Sequence, residues 1–195
     1  MVGLLNHKFM IEEIGDKAAV RTIYESLSSI LSDDFHFWLQ RGSFELETGD
    51  LDLAENYLNQ ARGLSPEDHR VRTAWSYMSL RRAAELAQSA EAGWRERAQE
   101  AMSELSDIIE LRGTTDEHAF HILGSQGLHY ARRAPLSFDE RLRLLDQLRG
   151  VVGRGARLHT DSDELKQLRD DLETEYLRLA VPPDRDEPAA AQDDR

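Results

Sequence analysis

Apolar residues fall three and four positions apart along most of this chain, and small or polar clusters interrupt them at intervals, the signature of successive amphipathic helices. Val20, Tyr24 and Leu27, widened by Ile23, Ile30 and Leu31, predict a helix from about Lys17 to Leu31. Trp38 and Gly42 stand four apart on the next helix, where the indole has room to pack over the missing side chain. Gly49 ends that helix and Asp50 caps another, which carries a narrow stripe of Ala54, Leu58 and Ala61 and stops at Pro66. Ser65-Pro66-Glu67-Asp68 reads as a helix start with Ser65 as cap and Pro66 at the first helical position. Val71, Trp75, Met78 and Ala83 follow on that helix. After a small, polar break from Gln88 to Gly93 comes a helix from about Trp94 to Leu111, with Ala98, Ala101, Met102, Leu105, Ile108 and Ile109 on its buried side. Trp94 itself is expected to plug the core.

The later part of the chain repeats the theme. Thr114 with Glu117 forms a candidate capping box for a helix reaching about Arg132, in which Phe120, Leu123 and Gly124 take the places of Trp38, Arg41 and Gly42. Ser137 with Glu140 is a second box, followed by Leu142, Leu145, Leu148 and Val152 until Gly153 and Gly155 are expected to break the helix. A last helix begins near Asp161 and Glu164 and carries Leu165, Leu168, Leu172, Tyr176 and Leu179. From Val181 onward there are prolines and acids but no further large apolar group, so 181–195 is expected to be a disordered acidic tail.

The stretch from Phe35 to Asp68, with Trp38, Gly42, Ala54, Leu58, Ala61 and Pro66 in phase, resembles a tetratricopeptide repeat, a 34-residue helical hairpin. Arg41, where that family usually has Leu, and Glu45, where it usually has Tyr, depart from the pattern. Gly15-Asp16 matches Gly49-Asp50 at one repeat's separation, so 1–34 reads as a degenerate first repeat whose first helix runs from about Val2 to Ile14. The division that follows is 35–68 for the clear repeat, 69–113 for a repeat with an insertion, 114–160 for a divergent hairpin and 161–180 for a capping helix. The fold class expected is all-α, a solenoid of about four such hairpins, with the right-handed superhelix that the resemblance implies.

Composition narrows the chemistry. A chain of 195 residues can bury roughly 70% of its unfolded surface, enough for a core. It has no cysteine, which excludes disulfides and thiolate metal sites, and no apolar run near the roughly 20 residues a membrane-spanning helix needs. A cytoplasmic protein without a membrane partner is expected. The formal net charge is −13, against broad binding of nucleic acid or anionic membrane. One basic island interrupts it, Arg132, Arg133, Arg141, Arg143, Arg149, Arg154 and Arg157, set among three acids in 131–160. Docking of these arginines on the chain's own acidic faces, or on those of a partner, is the commoner outcome; the rival is a phosphate-binding patch, although no Lys-Ser or Lys-Thr pair completes a nucleotide loop.

In tetratricopeptide arrays the first helix of each hairpin lines a concave groove. The resemblance places Asn6, Phe9 and Glu13 there from the first unit, and His36, Gln40, Ser43 and Glu47 from the second. Arg70, Tyr77 and Arg81 come from the third, and His118, His121, Ser125 and His129 from the fourth. Tyr77 with Arg81, i and i+4, is the aromatic and guanidinium pairing enriched at binding hot spots. Gln40 and Arg70 approximate the clamp by which some members hold chaperone C-terminal carboxylates, but Leu5, Phe9 and Ala74 stand where that clamp needs polar or cationic groups. His118, His121 and His129 lack a carboxylate at natural spacing to complete a metal site, so no metal and no cofactor is expected. Glu12-Glu13 and Asp33-Asp34 read as helix-end acids, no nucleophile is set against a base, and catalytic residues are expected to be absent. A second resemblance, of Phe37 to Gly42 and Gly124 to Leu128 to helical C-terminal regions of large prokaryotic signalling or defence NTPases, implies instead a regulatory or sensor module that contacts nucleic acid through 132–157. The primary expectation is a non-catalytic scaffold that binds a peptide or helix of a protein partner.

Overall fold

The computed structural model describes residues 16–181, which form eight α-helices and no strand. The helix expected before Gly15, with Asn6, Phe9 and Glu13, and the segment from 182 onward lie outside the described residues. In chain order the helices are α1 (Lys17–Leu27), α2 (Phe35–Thr48), α3 (Leu51–Leu64), α4 (His69–Gln88), α5 (Trp94–Arg112), α6 (His118–Arg133), α7 (Phe138–Leu158) and α8 (Asp163–Ala180). The all-α class holds throughout these residues.

The packing is a ladder. Extensive contacts join only elements one or two apart in this order: α2 pairs with α3, α4 with α5, α6 with α7, and α7 with α8. The alternate helices α2, α4, α6 and α8 also touch in series, which places them in one row, while α3 and α5 each bridge to the next helix of that row. Two apolar cores result, one from Val20 to Met78 and one from Leu80 to Leu172, and Tyr77 packs against both.

Close approaches within the ladder occur at glycines. A Cβ on Gly42 would lie 2.7 Å from Leu58 Cγ, so α3 rather than the Trp38 ring occupies the space left by the glycine. Trp38 instead stacks on Tyr57, ring centroids 5.8 Å apart. Gly124 meets Val152 and Leu168 in the same way. Gly49 ends α2 in the left-handed region at φ 92°, which a glycine adopts without steric cost.

Several sequence-based expectations are corrected. The first described helix stops at Leu27, and Ile30, expected on its stripe, lies in the following turn and is exposed. Ser65 closes α3, donating its N–H to Ala61 O, and Asp68 is the cap of α4, accepting from Arg70 N and Val71 N. Thr114 and Glu117 form no capping box, because Thr115 is held in the turn after α5 by Arg112 O, and Asp116 accepts from His118 N instead. Ser137 with Glu140 does form its reciprocal box. The last helix is capped by Ser162 rather than Asp161. Neither Gly153 nor Gly155 breaks α7, which runs on to Leu158.

The two departures at Arg41 and Glu45 are both buried. Glu45, 1% exposed, takes a bidentate ion pair from Arg21 of α1 at 2.5 to 3.0 Å. Arg41 donates Nη1 to Ser28 Oγ at 2.6 Å and lies 4.0 Å over the Tyr57 ring. A pair of polar residues therefore joins α1 to α2 where an apolar contact would serve elsewhere, and Tyr24 and Phe44 seal it from below at a ring separation of 5.7 Å.

Asp68 carries a prediction. Its hydrogen-bonded pairing with the Arg70 side chain, then the backbone N–H groups of the first turn, hold its carboxyl at about 2. A folded value below the unfolded one, near 4, means this stabilisation is complete above about pH 4 and is lost as pH falls through about 2. Asp68→Ala is expected to cost about 1 kcal/mol at neutral pH, the usual loss of a helix cap. Urea melts at pH 7 and at pH 2 should show the gap between variant and parent closing in acid.

Candidate functional site

The residues placed in a groove by the repeat phase sit on three adjacent helices of the row. His36, Gln40, Ser43 and Glu47 are on α2, Arg70, Tyr77 and Arg81 on α4, and His118, His121, Ser125 and His129 on α6. The helices stand side by side because their other faces are buried: Leu39 and Leu46 on α2, Leu80 on α4, Ile122 and Leu128 on α6. Leu39, Leu46, Leu80, Ala119 and Leu128, each adjacent in sequence to one of these positions, go into the core. Gln40, Ser43, Tyr77, Ser125 and His129 are half-buried, and Glu47 and Arg70 are exposed.

Not all of these groups are equally available. Arg81 reaches across to α2 and donates Nη1 to Leu46 O at 3.0 Å, which satisfies one of the carbonyls left over at that helix's C-terminus. Tyr77 is the contact between the two cores, so it serves packing as well as any ligand. Arg70 is folded back on Asp68 and lies 5.7 Å from the Phe35 ring centroid. At the N-terminal edge of the row, His69 faces Asp116 and His121 faces Glu164, each at 4.0 Å. Burial lowers the pKa of His129, as do the nearby Arg133, Arg81 and Arg132, so its ring is neutral at pH 7.

The His118, His121 and His129 set does not converge: among the described residues no three His, Asp or Glu side chains are grouped to hold an ion. Three of the seven arginines in the Arg-rich region are engaged with acids of the same chain. Arg132 pairs with Glu175 at 3.0 Å, Arg149 with Glu173 at 2.6 Å and Arg154 with Glu110 at 2.7 Å. Arg149 also lies 4.0 Å over the Tyr176 ring. Arg141 and Arg143 donate to the carbonyls of Ala134 and Asp139. These pairs join α6 and α7 to α8 and α7 to α5, which is the intramolecular docking weighed for the basic island.

An open cleft of about 540 Å3 lies between α3, α4 and α5 and is lined by residues that include Arg62, Arg72, Glu100 and Glu104. Its two arginines are paired with acids of the lining: Arg72 Nε donates to Glu104 at 2.9 Å, and Arg62 approaches both glutamates. Trp94 lies partly buried against the second core, its ring 6.0 Å from that of Tyr130, and so plugs the mouth of the 89–93 turn.

Compared with protein-family models, with curated proteins and with solved structures, the chain matches none of them. Among the described residues no helix is long and apolar enough to cross a membrane.

Proposed function

We propose that this chain is a tetratricopeptide-like array of helical hairpins and acts as a non-catalytic scaffold, binding a peptide or helix of a protein partner along the outward face of α2, α4 and α6. The observation that carries this reading is the continuous polar, part-exposed strip on three helices that touch in series and bury their other faces. A helix row of that kind offers hydrogen-bonding groups at regular spacing over a length suited to an extended segment. The in-phase residues from Trp38 to Pro66 and the ladder of neighbour contacts support the repeat architecture. The ion pairs made by Arg149 and Arg154 weaken the rival reading of a nucleic-acid sensor, because those charges are already spent within the chain.

The test begins with capture of partners from lysate and their identification by mass spectrometry. Ser43→Trp and Ser125→Trp then place a bulky ring on the strip at half-buried positions without removing any core contact. Either change is expected to weaken the purified partner by about tenfold or more, equivalent to about 1.4 kcal/mol, with little change in melting temperature. Unchanged affinity in both variants would remove the strip as the binding face.

A further inference from the structure

Taking that reading of the strip as given, we infer that the bound segment is acidic, and that its carboxylates are held at the C-terminal end of the row by Arg81, His129, Arg132 and Arg133. His129, Arg132 and Arg133 fall at i, i+3 and i+4 on α6 and so share one face. Arg81 comes to the same place from α4, which packs along α6, and its charge acts on the His129 ring together with those of Arg132 and Arg133. From α8, Glu175 and Arg178 border the patch, and from α2 the Leu46 carbonyl bonds Arg81, with the exposed Glu47 next to it in sequence.

The charges there do not cancel. Glu175 serves both Arg132, at 3.0 Å, and Arg178, at 2.6 Å. Among the described residues no carboxylate pairs with Arg81 or Arg133. Two guanidiniums thus share Glu175, and Arg81 and Arg133 have no carboxylate of the described residues within ion-pair distance, in a chain whose formal net charge is −13. Elsewhere in the basic island Arg149 is paired with Glu173 and Arg154 with Glu110, while Arg141 and Arg143 bond to the carbonyls of Ala134 and Asp139.

The geometry suits carboxylates in particular. A guanidinium presents paired N–H donors that match the two oxygens of a carboxylate. Arg81 is held in place through its bond to Leu46 O, which spends Nη1 and reduces the ordering cost of binding. His129, neutral, adds a donor without adding repulsion between cations. The patch spans neighbouring helices, about 10 Å between axes, a distance bridged by acidic side chains two or three residues apart on an extended peptide. A nucleic acid would need to run past this patch over an acidic surface, which repels it. The patch is also separate from Arg70, which lies eleven residues earlier on α4, about 16 Å away at the helical rise.

The experiment is a fluorescence anisotropy titration of the full chain with labelled deca-glutamate at low salt, with a ten-nucleotide single strand as second probe. Arg133→Glu removes charge at the patch. Arg143→Glu makes the same change in net charge on α7, where Arg143 bonds only within its own helix. Deca-glutamate should bind the parent, weaken about tenfold or more in Arg133→Glu and change less than about twofold in Arg143→Glu, since a charge-assisted bond is lost only in the first. The single strand should bind more weakly than deca-glutamate. Equal weakening by both variants, no binding by the parent, or tighter binding of the single strand would overturn the inference. The strip itself is judged separately: if Ser43→Trp still blocks the captured partner while Arg133 is irrelevant to deca-glutamate, the strip stands and its acidic ligand falls. If Arg133 governs deca-glutamate while Ser43→Trp and Ser125→Trp leave the partner untouched, the strip falls.

Discussion

Trp38→Ala is expected to destabilise the chain by about 3 to 5 kcal/mol, the range for deleting a large buried ring from a packed core. The ring is 8% exposed, stacks on Tyr57 and meets the edge of Phe37 at 4.9 Å. Its Nε1–H donates to Ser32 O at 2.7 Å and so ties the turn after α1 to α2. Truncation leaves a cavity bounded by Tyr57 and Phe37 and strands the Ser32 carbonyl. Trp38→Phe separates the two losses: much of the area stays, the hydrogen bond goes, and a cost of about 1 to 2 kcal/mol is expected. Urea melts should show the midpoint falling in that order with the slope unchanged. A Trp38→Ala variant that melts with the parent would mean the ring does not lie between α2 and α3.

Gly155→Ala is the second, because here structure and local propensity give opposite signs. In a helix interior, exchanging Gly for Ala normally stabilises by about 0.5 to 1 kcal/mol. That gain is expected at Gly150 of the same helix, where nothing lies within 4 Å of an added Cβ. At Gly155 the Cβ would come 2.8 Å from Phe120 Cγ, 2.9 Å from Cδ1 and 3.1 Å from Cβ. Those atoms belong to the root of a fully buried ring, which has no free end to swing aside. Gly155→Ala is therefore expected to cost about 1 to 3 kcal/mol, the range for overpacking. Thermal melts of the two single variants should move in opposite directions. If Gly155→Ala stabilises like Gly150→Ala, α6 and α7 do not approach as described.

The same glycine marks where the sequence stops being legible. Every helix among the described residues was visible in the spacing of apolar positions, since Ala54, Leu58 and Ala61, or Leu165, Leu168 and Leu172, have one common face and go to the core. Gly155 carries no periodic signal: as a local residue it weakens a helix, and only the arrival of Phe120 from 35 residues earlier explains why it is there. Helix starts were blurred for a different reason. Ser65, Glu67 and Asp68 all carry oxygens near one turn, and the choice of Asp68 follows from Ser65 already closing α3.

Charge partners were the least readable part. Arg132 and Glu175 are 43 residues apart, and nothing in spacing selects that acid over its neighbours. Arg41 and Glu45 read as misfits to a repeat pattern, yet they answer to Ser28 and Arg21 across the helix interface. For the strip, the resemblance supplied a set of residues that lie on α2, α4 and α6. It did not show that Arg81 is bonded to Leu46 O, that Tyr77 joins two cores, or that Arg81 and Arg133 share an end of the row.

The central claim is that partners are held on the outward strip of α2, α4 and α6. Site-specific photocrosslinking in cells tests it most directly, with the photoreactive residue p-benzoylphenylalanine placed at Ser43 or Ser125 on the strip, or at Gln99 or Ser103 on the exposed side of α5. The account predicts a common adduct from Ser43 and Ser125 and none from Gln99 or Ser103. Adducts from the α5 positions alone would contradict it.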